Sequence, residues 1–184
     1  MKSLYIFSIA IFFSFTNTTT IYIQPLGNVK DNYVEVVQKA IKTVYGYKCV
    51  VLPAVQHNKK LYANSKTRYD ANKILQHFDS DKHILVITEK DIAHYKNSHY
   101  PEWGIFGLGS LTNKTCVVST YRLGSTDVIG ERLAKVAVHE VGHTVGLNHC
   151  TKNANCVMQD AKGRIKTVDN ASIQLCNKCI FRKG

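Results

Sequence analysis

With 184 residues, 45% of them hydrophobic, the chain is sized for one domain with a real core and too short for several. The formal net charge of +11 suits acidic partners. Yet Lys and Arg are spread along the chain in pairs such as Lys59-Lys60 and Arg182-Lys183, so no basic run supports nucleic-acid binding. No stretch of the mature chain is long and apolar enough to span a membrane.

Residues 1–20 read as a secretory signal peptide: Met1 and Lys2 start it, Leu4 to Phe15 is apolar, and Asn17 to Thr20 is polar. No Ala-x-Ala is present. Small residues at Ser14, Thr16 and Thr18 put cleavage between Asn17 and Ile21, so the mature domain is 21–184. That leader implies a secreted or periplasmic protein; if the N-terminus is not a signal, the protein is cytoplasmic.

Ile21 to Leu26 is a first strand, closed by Pro25 and Gly27. Asp31 to Tyr45 carries Val34, Val37, Ala40, Ile41 and Val44 at helical spacing, and Gly46 ends it. The β-branched run Lys48 to Val55 follows, then a helix over Thr67 to Phe78 and a buried strand over Ile84 to Thr88. This alternation predicts an α/β layer with a mixed sheet. Gly104 to Leu111 and Cys116 to Thr120 read as two strands around a Thr112-Asn113-Lys114 turn. Thr126-Asp127 caps a long helix running to Gly146. A last short helix is expected near Asp169, carrying Ile173 and Leu175.

The long helix contains His139-Glu140-Val141-Gly142-His143. Histidines four apart share one helix face, so both imidazoles can reach one ion. Glu140 sits about 100° further round the axis, which suits a general base acting on a water that zinc activates. Gly146 can adopt φ > 0 and let the chain turn back, bringing His149 in as a third ligand. Three imidazoles leave one coordination position open, as a catalytic zinc requires. The spacing His-Glu-x-x-His-x-x-Gly-x-x-His is the metzincin pattern. Such proteins also place a methionine in a turn beneath the zinc, and Met158 is the candidate.

Six cysteines occur, at 49, 116, 150, 156, 176 and 179. Cys150, Cys156 and the pair Cys176-Asn177-Lys178-Cys179 have the layout of a closed four-thiolate structural zinc site. Two disulfides are the alternative in an oxidising compartment. Cys49 and Cys116 are either free thiols or a disulfide. The histidines at 57, 77, 83, 94 and 99 share no ligand spacing.

The chain here resembles the archaemetzincins. The resemblance rests on the extended histidine motif with Cys150 directly after His149, on Cys156-Val157-Met158, and on the C-x-x-C after a further seventeen residues. The segments Trp103 to Gly109 and Val117 to Leu123 add to it. One departure is the five residues between Cys150 and Cys156, where four are usual. The resemblance implies a compact single-domain metzincin-like fold with an active-site helix and a zinc-bound C-terminal part over 150–184. It implies two zinc ions per chain, one catalytic and one structural, and a peptide or protein substrate. A monomer is expected. The expected function is a zinc-dependent peptidase with Glu140 as general base, against the alternative of an inactive zinc-binding interaction module on the same scaffold.

Overall fold

The computed structural model describes residues 19–180, so the expected signal peptide lies almost wholly outside them. Strand β1 (Thr20–Leu26) leads into helix α1 (Asp31–Tyr45), which stops at Gly46 with φ 71°. Next come β2 (Lys48–Val51), a 3₁₀ turn at Lys59–Leu61, β3 (Tyr69–Asp70), α2 (Ala71–His77), β4 (His83–Thr88) and β5 (Ile92–His94). Then follow β6 (Trp103–Ile105), β7 (Gly107–Gly109), β8 (Thr115–Ser119), α3 (Thr126–Thr144), α4 (Ile165–Asn170) and α5 (Asn177–Ile180).

The mixed sheet expected from the sequence is present. Its order is β2-β1-β4-β8-β7, parallel except for β7, which runs antiparallel at the edge. A second sheet, β3-β5-β6, was not expected. The central strand β4 is buried on both faces and therefore reads as continuous apolar sequence. Leu85 and Ile87 pack towards α1 and α3, whereas Val86 packs on the opposite side with Ile74 and Leu75 of α2. The period of two along the strand thus divides the core into two halves.

Five boundaries differ from expectation. The run Lys48 to Val55 is a strand only to Val51, with Pro53 intervening before Val55 bridges Leu26. The helix expected from Thr67 begins at Ala71, because Asp70 is its N-cap and accepts from the Asn72 and Lys73 amides. Gly104 to Leu111 is split between the two sheets at Phe106. The last helix is displaced: Asp169 is near the end of α4, and Ile173 and Leu175 lie in the following loop. At α3 the N-cap is Ser125, one residue before the expected Thr126-Asp127 pair.

Candidate functional site

Helix α3 crosses behind β8 and β7 and brings His139, Glu140 and His143 to the wall of a cleft of about 840 Å³. At its end the Gly146 amide donates to the His143 carbonyl, and the Leu147 amide donates to the Gly142 carbonyl. This pair of bonds is a Schellman turn, and Gly146 occupies its left-handed position with φ 87°. The reversal returns the exposed His149 to the same wall, its ring 5.2 Å from that of His139 and 4.8 Å from that of His143. All three expected ligands are therefore brought together.

Both helical imidazoles are held by backbone carbonyls. His139 Nδ1 donates to Val157 O at 2.8 Å, and His143 Nδ1 donates to Leu147 O at 2.7 Å. These bonds leave each Nε2 unprotonated and turned inward. The two Nε2 atoms are 3.1 Å apart. Two lone pairs at that distance repel unless a cation lies between them, so the donor set fits a metal ion. Burial, helped by the neighbouring His143, lowers His139 to about 3, and burial lowers His143 as well. Both rings are thus neutral, as a ligand must be.

Glu140 is buried beside them. Burial raises its carboxyl to about 8, with the Gly109 backbone N–H working the other way. A dication at the histidines would favour the carboxylate and bring that value down. Two residues missed in the sequence make room for it. A Cβ on Gly107 would sit 2.6 Å from Glu140 Cγ, and one on Gly109 would sit 2.5 Å from the Glu140 carbonyl oxygen. Only glycine lets the edge strand lie this close to α3. Their placement two apart in an apolar strand was the available signal. Among the histidines set aside, His94 lines the cleft.

The four clustered thiols come together as well. Cys150 Sγ is 3.7 Å from Cys176 Sγ, and Cys156 Sγ is 3.7 Å from Cys179 Sγ. A disulfide needs about 2.05 Å. Thiolates around one zinc at about 2.3 Å stand about 3.8 Å apart, the edge of a tetrahedron. The spacing fits zinc and not two disulfides. At Cys176 burial pushes the thiol up, but hydrogen bonds from the Cys179 backbone and the neighbouring thiols outweigh it and bring it to about 7. Cys49 and Cys116 are free thiols.

The two clusters share a frame. Within Cys156-Val157-Met158, the first residue supplies a thiol and the Val157 carbonyl holds His139. The Met158 carbonyl accepts the Cys150 amide at 2.7 Å. The Met158 side chain is fully buried beneath α3, where a Cβ on Gly142 would lie 2.5 Å from its Sδ. Tyr45, also missed, packs at the same point and donates to the Val138 carbonyl at 2.7 Å.

A mixed α/β domain with this histidine helix beneath a long cleft defines a class, the zinc-dependent metallopeptidases. The sequence profile of peptidase family M54 matches residues 8–183, and the chain belongs to that family, the archaemetzincins. The archaemetzincin of Archaeoglobus fulgidus is 35% identical over 161 residues, covering 86% of this chain and 95% of that protein. That of Halobacterium salinarum is 30% identical over 171 residues, covering 85% and 95%. The crystal structure of the Archaeoglobus protein complexed with malonate superposes with a TM-score of 0.78 at 32% identity, over 89% of this chain and 99% of that one. The enzyme reading stands, and the alternative of an inactive interaction module is not favoured. No helix among the described residues is long and apolar enough to cross a membrane.

Proposed function

We propose that His139, His143 and His149 hold the catalytic zinc, that Glu140 is the general base, and that Cys150, Cys156, Cys176 and Cys179 hold a second, structural zinc. The observation carrying this is the convergence of three histidine rings on one wall of the cleft beside a buried carboxylate. When bound, zinc supplies Lewis acidity, which polarises a carbonyl and makes water a better nucleophile near neutral pH. The rest is done by the chain. An extended peptide can lie along β7, the edge strand whose Gly107, Leu108 and Gly109 line the cleft, and pair with its backbone. Glu140 takes a proton from the attacking water and returns it to the leaving amine, a shuttle that suits a buried carboxylate set beside the histidines.

Residues 1–20 are read as an export signal, with the mature chain starting just ahead of or within β1. Mass spectrometry of the protein from its host tests this, and an intact Met1 would overturn it. Metal analysis of the purified chain is expected to give two zinc ions. Cleavage of a peptide library is expected to stop with chelator and return with zinc. Two zinc ions without any cleavage would contradict the proposed roles of the histidine site.

A further inference from the structure

The cleft continues past the histidines along α3. Lys135 lies one helical turn before His139 on the same face, and both residues line the cleft. Its side chain is only 8% exposed, an uncommon place for a lysine. Nζ donates to the Asp169 carbonyl at 3.1 Å and meets Glu131 at 2.7 Å. Glu131 is 74% exposed, so it can swing away into solvent and leave its place at the buried ammonium to another carboxylate. Those two partners account for two of the three protons an ammonium can donate.

The residues of α4 that line the cleft lie beside this lysine. Val136 of α3 and Thr167, Val168 and Ala171 of the α4 segment line the same cleft, short or apolar groups beside the ammonium, which donates to the Asp169 carbonyl of α4. Anchoring α4 does not depend on the lysine, because Arg132 holds the Asp169 carboxylate through two bonds of 2.6 and 2.8 Å. A turn of helix rises about 5.4 Å, so the backbone of Lys135 lies one turn from that of His139, with its ammonium turned towards Glu131, away from the histidines. The charge of the cleft agrees. Lys96, Lys135 and Lys162 line it against Glu140 and Asp160 alone among acids.

We infer that this end of the cleft sets substrate choice, with Lys135 binding a substrate carboxylate. The carboxylate comes either from an acidic side chain beside the scissile bond or from the C terminus of a short peptide. The inference rests on the peptidase reading and names its substrate class.

Two pairs of matched peptides test it. One pair carries Glu or Gln after the scissile bond, with an amidated extension. The other ends one residue after that bond, as the free acid or the amide. Turnover is measured on the zinc-loaded wild type, and affinity by calorimetry on the zinc-loaded Glu140→Gln protein. The carboxylate member of one pair is expected to gain about tenfold over its neutral twin. The gain should shrink with added salt. Lys135→Arg should keep it and Lys135→Met should bring the ratio to about one. A gain in the first pair assigns the acidic side chain, and in the second the chain end. Equal values within both pairs on the wild type overturn the inference whether or not any variant folds, as does a gain that survives Lys135→Met. If no peptide is cleaved, the peptidase reading fails, while the affinity ratio still decides the role of Lys135.

Discussion

The histidine and cysteine clusters are one peptide bond apart, at His149 and Cys150, and are built in opposite ways. The cysteine cluster gathers its thiols from a loop and the short helix α5, three of its four residues are buried, and the four Sγ atoms lie within 4.8 Å of one another. The histidine cluster takes two imidazoles from a nineteen-residue helix and one from an exposed loop residue, and opens onto a cleft. A closed site can only hold the chain together; an open one can hold a reactant. The open site therefore depends on stiffness supplied from outside, and residues 156–158 carry it across.

The strongest way to break this pairing is at the closed site. Cys176→Ser is expected to lose one zinc ion and to weaken zinc binding at the histidines by about 10–100-fold, as when the support of a ligand is removed. Metal titration against a competing chelator measures both. Unchanged affinity at the histidines would separate the two sites.

The next effect is electrostatic and belongs to the open site alone. In metal-free protein, His139 is held near 3, so the unfolded chain, with an ordinary value near 6.5, takes up protons first. Stability therefore falls as pH drops below about 6.5. Glu140, raised to about 8, acts in the opposite sense. Its contribution is complete below about 4.5 and is lost as pH rises through 8. Metal-free Glu140→Gln should accordingly exceed the metal-free wild type at pH 8 by roughly 2–4 kcal/mol in urea denaturation. Equal midpoints would mean that the carboxylate is not confined as described.

Smaller effects probe the joint between the sites. Gly142→Ala forces a methyl against Met158 Sδ and Tyr45 Oη, and should cost about 1–3 kcal/mol in the zinc-loaded protein. Tyr45→Phe removes the bond to the Val138 carbonyl and should cost about 1 kcal/mol. Thermal denaturation ranks the two, and the reverse order would move the stiffness from Met158 to Tyr45.

Much of the site was legible in the sequence, because its ligands sit at fixed spacings on a helix, after a glycine turn and around a C-x-x-C. What supports the site was not. Gly107 and Gly109 look like weak strand residues until the strand is laid on α3, and Tyr45 lies 93 residues from the carbonyl it binds. Lys135 shares the histidine face at the same four-residue step, but a lysine on a helix reads as a surface charge until its burial is known. The second sheet escaped because β3 has two residues and β5 and β6 three each, too short to display a period. The pairings that order both sheets are long-range, and no local pattern contains them.

The central claim is that the open site does chemistry and that Glu140 performs the proton transfer. The direct measurement is peptide cleavage by zinc-loaded wild type and Glu140→Gln side by side, with the zinc content of each determined. The expected result is the same zinc content and a kcat lower by about 10²–10⁴-fold in the variant. Equal cleavage by two proteins of equal zinc content would contradict the account.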